Sequence, residues 1–325
     1  MPQGIITKIY MDRYNNINSI LAFVTVAREG SVSRAAEVLN LTQPAISHQI
    51  KRLSTETGIT LFTRTASGLQ ISHDGAAVLS KAQQVLDAMA DFQRTARLRS
   101  GQISGKLTIG TIVDPEFIRL GQMLARLRSE HPGIETELVH GVSGDIVAWL
   151  KRGRIDAGFY LCGPDDLPQM EAEGEDAIDA IRLADFHYRV IGPTGWQNKI
   201  QDASWSQLAS LPWIGTPEAS VHHRLLNRVY EDQSNRLNVV ALVDQEASML
   251  EMVRSGIGLS LCRESIALHQ KQSFGLAVCN AVSVPACLCF VALQRRRENP
   301  ILAEVFELLE KSWSLADSRR SIEHS

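Results

Sequence analysis

Residues 33–53 read SRAAEVLNLTQPAISHQIKRL, a pattern of two short helices joined by a tight turn. Ser33 is a suitable N-cap for a first helix over 34–39. Asn40 tolerates the left-handed backbone that a tight turn needs. Thr42 is a suitable N-cap for the second helix. The stretch therefore predicts a helix-turn-helix unit, whose common use is to place its second helix in the major groove of DNA.

The second helix of this unit has an apolar and a polar face. Ile46, Ile50 and Leu53 share one side at helical spacing and should pack inward. The opposite side has no acidic residue and offers amide, hydroxyl, imidazole and cationic groups, which suit base edges and phosphates. A solvated face in a small helical domain would give the same pattern. The outward residues are Gln43, Ser47, His48, Lys51 and Arg52.

The flanking sequence favours a DNA-binding unit. Upstream, apolar residues at helical spacing end at Gly30, as a helix C-terminus should. Downstream, the apolar segments 61–62 and 69–71 enclose a polar, glycine-bearing stretch over 63–68. This pattern is typical of a hairpin, or wing. We expect Arg64 in its tip, where it suits a phosphate or a narrow minor groove.

This segment resembles the winged helix-turn-helix of the LysR-type transcriptional regulators. The matching residues are Phe23, Gly30-Ser31, Ala35-Ala36, Leu39, Gln43-Pro44-Ala45-Ile46-Ser47, Ile50, Leu53, Gly58, Leu61-Phe62, Arg64 and Gly75. The resemblance implies that Gln43, Pro44, Ser47 and His48 contact bases and that Arg64 acts from the wing. His48 stands where the family often has Arg and cannot make the bidentate guanine contact of Arg. Ser54 replaces an acidic residue that usually follows Leu53.

Composition agrees with a DNA-binding module joined to a larger body. The chain has 325 residues, 44% of them hydrophobic, and a net charge of −3, which suits two or three domains with ample cores. Basic residues lead in the first part, while acids concentrate in 165–179, expected to be a solvated loop. No secretion signal or membrane span is expected, and five unpatterned cysteines suit a reduced compartment. We therefore expect a cytoplasmic protein, with the first ten residues disordered or an upstream start ahead of Met11.

A long helix should follow the wing. Ser72 can cap it, and apolar residues then alternate steps of four and three, the heptad pattern of two helices packed along their length. A helix buried against its own domain is the alternative. The LysR resemblance also implies a dimerising linker helix here, and helix-turn-helix proteins usually bind two half-sites. The seam residues are Val78, Ala82, Val85, Met89 and Phe92.

The rest of the chain alternates predicted strands and helices from Lys106 onward. This rhythm implies parallel sheet with helices on both faces, and it restarts midway. Two such lobes resemble the periplasmic-binding-protein-like effector domain of LysR-type regulators. The whole is predicted to be an α+β multidomain protein. Its parts are a winged helix-turn-helix domain (15–73), a linker and dimerisation helix (74–100), a hinge (101–105) and an effector-binding domain (106–313), with lobes of 106–182 plus 284–313 and of 183–283.

The expected effector site lies between the lobes, where strands end and helices begin. Free N–H groups and partial positive charge at helix starts suit a small carboxylate-bearing or similarly polar metabolite. His222, His223 and Arg224 are candidates to add positive charge from the second lobe. The predicted effector-binding residues are Thr111, Ile112, Val113, Ser143, Gly144, Phe159, Thr216, Ser220 and Ser248.

Other functions are compatible with parts of the sequence to different degrees. A redox switch through Cys262 and Cys279 stays open, since some family members use a disulfide. Cys287 and Cys289 share a strand face, but no second cluster completes a metal site. An enzyme is disfavoured because neither Gly-x-Ser-x-Gly nor a phosphate-binding glycine loop is present. The DNA module and the missing signal exclude a secreted solute-binding protein.

We therefore expect a LysR-type transcription factor that is not an enzyme. Its expected partners are double-stranded operator DNA with two half-sites, a small metabolite, a second copy of itself in a homodimer or tetramer, and RNA polymerase if it activates. No cofactor, metal or membrane partner is expected.

Overall fold

A computed structural model describes residues 16–65, 68–98, 103–112, 114–166, 177–231 and 237–323. The chain divides into an N-terminal unit, Met1–Gln102 together with Lys151–Arg154, and a C-terminal unit, Ile103–Leu150 together with Ile155–Ser325. The first ten residues, Val113 and most of the acidic segment 165–179 lie outside the described residues. No helix in the described part of the chain is long and apolar enough to cross a membrane.

The N-terminal unit is a winged helix-turn-helix followed by a long helix. It contains α1 (Asn16–Glu29), α2 (Val32–Val38), α3 (Gln43–Thr57), the hairpin strands β1 (Phe62–Thr65) and β2 (Gly68–Ile71), and α4 (His73–Leu98).

Local chemistry sets the ends of these helices. Ser31 caps α2, with its Oγ accepting from the Arg34 N–H at 3.4 Å, so the prediction that Ser33 is the cap was wrong. Asn40 has the expected left-handed backbone, with φ of 52°. Thr42 caps α3 by accepting from the Ala45 N–H at 3.3 Å, as predicted.

The core of this unit lies where α1, α2 and α3 meet. Ala35 and Ala36 are buried and small enough to let α2 approach Ile46 of α3. Phe23 of α1 packs edge-on against Phe62 of the wing, with ring centroids 5.5 Å apart. The start of α4 completes this core, so the DNA-binding module and the base of the long helix form one hydrophobic cluster.

The C-terminal unit begins with a three-layered first lobe. Its elements are β3 (Ser104–Thr111), α5 (Leu120–Glu130), β4 (Gly133–His140), α6 (Ser143–Lys151), β5 (Ala157–Cys162) and the first part of β6 (Ile178–Gly192). Ser104 and Gly105 lie inside β3 rather than in a hinge, and residues 101–102 lie outside the described residues. Turns occupy residues 115–119, so α5 begins only at Leu120.

The second lobe follows and the chain then returns to the first. Its elements are the end of β6, α7 (Gln197–Ile200), α8 (Trp205–Ala209), β7 (Pro212–Gly215), α9 (Val221–Tyr230), β8 (Asn238–Leu242), α10 (Glu246–Arg254), β9 (Ser260–Arg263), α11 (Glu264–Phe274) and the start of β10 (Ala277–Leu293). The closing helix is α12 (Pro300–Glu323).

The main sheet is mixed, with strand order β4-β3-β5-β10-β6-β9. β3 pairs in parallel with β4 and β5, as the βαβ rhythm predicts. β10 is antiparallel to both β5 and β6, and β9 is antiparallel to β6, so the expectation of a parallel sheet throughout was wrong. The reason is that β10 returns from the second lobe and enters the sheet from the opposite end.

Two long strands, β6 and β10, therefore connect the lobes. Leu183 belongs to the core of the first lobe and Tyr188 to that of the second. On β10, Ala286 still packs in the second lobe and Cys287 in the first. The lobe boundaries thus fall a few residues later than predicted.

Candidate functional site

The outward face of α3 carries the predicted base-reading residues. Ile46 and Leu53 are buried, which fixes the rotation of the helix against its own core. The opposite side exposes polar and cationic groups to solvent. The exposed predicted residues are Gln43, Pro44, Ser47, His48 and Lys51.

Arg52 does not belong to this outward face. Its Nη2 donates to Ser19 Oγ at 2.8 Å, and Ser19 is a fully buried residue of α1. Its Nε lies 3.7 Å from a carboxylate oxygen of Glu56. Arg52 therefore joins α1 to α3, and the prediction that it faces the DNA was wrong.

The two strands of the wing extend further toward its tip than predicted. β1 continues through Arg64, which pairs with Leu69 of β2, so Arg64 lies in a strand of the wing and not in its tip. Residues 66–67 between the strands lie outside the described residues.

The long helix α4 has two different halves. Val78 and Ala82 pack partly against the core of the same unit, as the alternative prediction had it. Further along, Val85 and Met89 are 44% and 37% exposed, and Phe92 is 75% exposed. This second half leaves three large apolar side chains of the predicted seam in solvent.

A cavity of about 80 Å³ lies between the lobes of the C-terminal unit. Ile112 reaches it from the end of β3, Ser143 from the start of α6, Thr216 from the segment after β7, and Ser220 from the N-cap of α9. Its other lining residues are Phe117, Gly141, Val142, Leu161, Tyr188, Val221, His222, Asp244, Gln245, Glu246, Met249 and Arg263.

The hydroxyl groups at this cavity differ in their hydrogen bonding. Ser143 Oγ accepts from the Leu161 N–H at 3.3 Å, and Ser220 Oγ accepts from the His222 N–H at 3.2 Å. Thr216 Oγ1 is buried and has no hydrogen-bond partner in the described part of the chain. Since buried polar groups are normally paired, this hydroxyl indicates a site for a polar ligand or an ordered water.

Three predicted effector residues lie elsewhere. Thr111 is fully buried and bonded through Oγ1 to His140 Nδ1 at 2.5 Å, so its hydroxyl does not face the cavity. Phe159 is in the core of the first lobe, edge-on to Phe290 at 5.1 Å. Ser248 is exposed on α10 and does not line the cavity.

Gly144 lies at a direct contact between the lobes. Its N–H donates to the carbonyl oxygen of Ala219 at 2.8 Å. A Cβ at this position would lie 2.6 Å from the same oxygen, so only glycine fits while the lobes touch. Gly144 therefore does not line the cavity but holds the lobes together beside it.

An ion pair that no local sequence pattern marks connects the two lobes at Arg263, a cavity-lining residue. Arg263, at the carboxyl end of β9, is 9% exposed and pairs with Asp114 of the first lobe. Its guanidinium also lies over the Phe117 ring, 4.0 Å from the centroid. Asp114 has φ of 100°, a strained backbone for a non-glycine residue, and its Oδ1 accepts from the Phe117 N–H at 2.9 Å.

Burial shifts the pKa values of two other titratable side chains at the cavity, those of Glu246 and His222. Burial raises the pKa of Glu246, and the neighbouring Asp114 adds to this while Arg263 opposes it. Burial, reinforced by Arg263, lowers the pKa of His222 to about 4, so this imidazole is neutral at neutral pH. The expectation that His222 adds positive charge was therefore wrong.

Arg224 and His223 also do not line the cavity. Arg224 Nη2 donates to the Leu161 carbonyl oxygen at 2.9 Å, and its guanidinium lies 5.1 Å from the Tyr160 ring centroid. Arg224 thus joins the second lobe to β5 of the first. Together with the Gly144 contact, it closes the lobes around the cavity.

The two cysteines predicted for a redox switch are both buried in different clusters. Cys262 lies in the cluster that packs around α10 and α11, and burial raises the pKa of its thiol. Cys279 lies in the larger cluster of the second lobe, where its Sγ donates to the Ala203 carbonyl oxygen at 3.5 Å.

Comparison with known proteins matches both units. The model of the bacterial regulatory helix-turn-helix protein, lysR family, matches residues 17–76, and that of the LysR substrate binding domain matches residues 100–314. The chain belongs to the LysR family of transcriptional regulators. Like them, this LysR-type chain is a DNA-binding regulator with an N-terminal helix-turn-helix and a C-terminal effector-binding domain.

The relatives agree with this assignment. The HTH-type transcriptional regulator CfxR of Cupriavidus necator is 26% identical over 78% of this chain and 76% of its own. A full-length OxyR variant from Pseudomonas aeruginosa is 21% identical, with a TM-score of 0.65 over 91% of this chain and 97% of its own. CbnR in complex with its target DNA is 18% identical, with a TM-score of 0.54 over 91% and 99%. At these identities the two structures show the shared fold.

Proposed function

We propose that this LysR-family chain acts in the cytoplasm as a homo-oligomeric transcription factor, without enzymatic activity, whose DNA binding is controlled by a small polar metabolite held between the two lobes. The observation that carries the effector part is the buried Thr216 hydroxyl, which lacks a protein partner in the described part of the chain and lies at the cavity.

The DNA-reading part of the proposal rests on the outward face of α3. Gln43 and Ser47 lie one helical turn apart, and His48 is adjacent to Ser47, so all three can reach neighbouring base edges when α3 lies in the major groove. The amide of Gln43 suits an adenine edge, while Lys51 supplies a cation for phosphate. We also assign Arg64, which lies in β1 of the wing, a contact with the DNA backbone or the minor groove.

Titrations with DNA from upstream of the chain's own gene test this assignment. Gln43→Ala or His48→Ala should cost about 1–3 kcal/mol at one base position and relax specificity there. Lys51→Ala should weaken binding evenly across sequences and lower the salt slope by about one. Arg52→Ala is the matched control, because Arg52 contacts Ser19 and should not alter base preference. Unchanged specificity in Gln43→Ala would show that α3 does not read the bases.

Dimerisation through α4 would present two copies of α3 to two half-sites. The support is the exposed apolar surface of Val85, Met89 and Phe92, since a seam of large apolar side chains is buried when two such helices pack together. A symmetric pair of DNA-binding modules would then match a pseudo-palindromic operator.

The proposed effector is small and carries both hydrogen-bonding and charged groups. The cavity volume of about 80 Å³ limits its size. The hydroxyl of Thr216 and the carboxyl of Glu246 suit a donor such as an amine or hydroxyl, while Arg263 suits an acidic group that competes for it with Asp114. A monoanion without a hydrogen-bond donor would leave Glu246 and Thr216 without a partner. A molecule that has both an acidic group and a donor therefore fits the cavity better.

A thermal-shift screen tests the effector part, with arms of amino acids, hydroxy acids and monocarboxylates. Thr216→Val removes the hydroxyl at nearly constant shape and should lower the affinity for a stabilising compound about tenfold, the value of one lost hydrogen bond. It should leave DNA binding without the compound intact. Ser248→Ala is the control, because Ser248 is exposed away from the cavity. Equal affinities in Thr216→Val and the unaltered protein would place the effector elsewhere.

A further inference from the structure

Three cysteines converge on one face of the first lobe, apart from the effector cavity. Cys162 ends β5, and Cys287 and Cys289 lie two residues apart on β10. Because β5 and β10 are antiparallel with Cys287 opposite Cys162, and alternate residues of a strand share a face, all three side chains point to the same side of the sheet. All three are fully buried.

The sulfur atoms form a nearly equilateral triangle. Sγ of Cys162 lies 3.4 Å from that of Cys287 and 3.9 Å from that of Cys289, and the latter two are 3.8 Å apart. Metal–thiolate bonds of about 2.3 Å place three sulfurs roughly 4 Å apart around an ion at their centre. The triangle therefore needs shifts of only a few tenths of an ångström to hold an ion with three sulfur ligands.

The surroundings of this three-cysteine cluster favour a soft ion. No His, Asp or Glu ligand atom completes a fourth position in the described part of the chain, so the donor set is three sulfurs. Zinc prefers four ligands in structural sites, whereas thiolates select soft ions. On β6, Asp185 is the register partner of Cys287 and Arg182 that of Cys289, and their side chains are 64% and 43% exposed. The cluster thus lies beside polar groups that reach the surface.

We propose that Cys162, Cys287 and Cys289 form a binding site for a soft, thiophilic ion held by three sulfur ligands. Cu(I) and As(III) both have this chemistry. Binding of Cu(I) replaces S–H protons with copper–sulfur bonds and releases those protons to solvent. Binding of arsenite, As(OH)₃, forms three arsenic–sulfur bonds and releases three water molecules. Neither step changes an oxidation state, so no oxidant or reductant is required.

The site would act independently of the effector cavity. An ion held by Cys162 and the two β10 cysteines would cross-link β5 to the strand that continues into the second lobe. Metal binding between two strands that are already paired needs little rearrangement, so most of its free energy would appear as stability of the first lobe.

Anaerobic titrations of the reduced full-length protein test the proposal. Cu(I) affinity is measured by competition with a chromophoric chelator, and arsenite binding by native mass and by the number of thiols that remain reactive under denaturing conditions. We expect one ion per chain, and with arsenite a mass gain of one arsenic atom less three hydrogens and the loss of three reactive thiols. Zn²⁺ should bind at least tenfold more weakly than Cu(I), since a fourth protein ligand is missing.

Two variants of the cluster locate the ion, and one variant serves as control. Cys162→Ala and Cys289→Ala should each weaken binding by more than about 100-fold, the upper range for losing a supporting contact alone. Cys279→Ala removes a buried thiol of the second lobe and should leave binding unchanged. Circular dichroism and DNA binding without metal show whether each variant folds, and a variant that does not fold is replaced by its Ser counterpart.

Four results would overturn the proposal. The first three are the absence of stoichiometric Cu(I) and arsenite binding, binding that persists in both cluster variants, and zinc binding as tight as that of Cu(I). Formation of a disulfide between Cys162 and Cys287 during the titration, without bound ion, would identify the cluster as a thiol pair and likewise refute the metal site.

Discussion

Replacing Arg263 by Met should destabilise the C-terminal unit through the charges that it leaves behind. Arg263 is 9% exposed and Asp114 24% exposed, so their ion pair is largely desolvated. Removing one partner of a fully buried pair costs about 3–5 kcal/mol. Because Asp114 keeps a quarter of its exposure, we expect about 2–3 kcal/mol at pH 7. Methionine retains an apolar contact with the Phe117 ring, so lost packing contributes little.

The double variant Arg263→Met/Asp114→Asn separates charge from packing. With the carboxylate removed, the double variant should be less destabilised than the sum of the single variants by about 1–2 kcal/mol. Urea unfolding followed by tryptophan fluorescence suits the measurement, because all five tryptophans of the chain lie in the C-terminal unit. Additive effects within about 0.5 kcal/mol would refute the assigned role of the ion pair.

Acid should partly rescue the Arg263→Met variant. The pKa of Glu246 is raised in the folded protein, so the folded state binds this proton more tightly than the unfolded state, and stability rises as the pH falls through the folded pKa. Arg263 lowers the pKa of Glu246, so this pKa should be higher in the Arg263→Met variant. The variant should therefore gain more stability than the unaltered protein when the pH falls from 7 to 5. Lys311→Met is the control. Its pair with Glu307 is exposed and screened by solvent, so its loss should leave the stability nearly unchanged at either pH.

Three further substitutions and one titration test other parts of the molecule. Val85→Glu should charge the exposed seam of α4 and abolish the dimer in sedimentation, whereas an unchanged mass would mean that this surface is not the interface. Arg52→Ala should lower the free energy of unfolding by about 1.5–3 kcal/mol, measured by denaturation, because it removes a charged hydrogen bond to Ser19. Gly144→Ala should weaken effector binding at least about tenfold in calorimetry, since its Cβ prevents closure, and unchanged affinity would show that closure is not needed. His222 should titrate near pH 4 by NMR, and stability should fall as the pH drops from about 6.5 to 4, because only the unfolded state gains the proton there.

Features set by local chemistry could be predicted from the sequence. The caps at Thr42 and Ser72, the left-handed Asn40 and the buried face of α3 depend on neighbours within a few residues, and the structure has each of them. Arg52 was misplaced because helical spacing gives only its position on α3. It does not reveal that Ser19 of α1 approaches it from the side.

The effector cavity was predictable only where a strand end leads directly into it. Ser143 and Thr216 were found by this rule, and both line the cavity. Phe159 was misplaced because the side of β5 that it occupies depends on the register with β10, which the sequence does not reveal. Arg263 comes from a strand that reaches the cavity through long-range antiparallel pairing with β6, so no local pattern marked it.

The position of β10 also constrains the order in which this chain can fold. β10 lies between β5 and β6 in the main sheet, yet it is synthesised after the whole second lobe. Until it emerges from the ribosome, β5 has an unpaired edge and the first lobe lacks the buried side chains of 287–293. An exposed strand edge and an incomplete core make nascent chains prone to misassociation. Chains truncated before residue 277 should therefore depend on chaperones for solubility, even though they contain every helix of the DNA-binding unit.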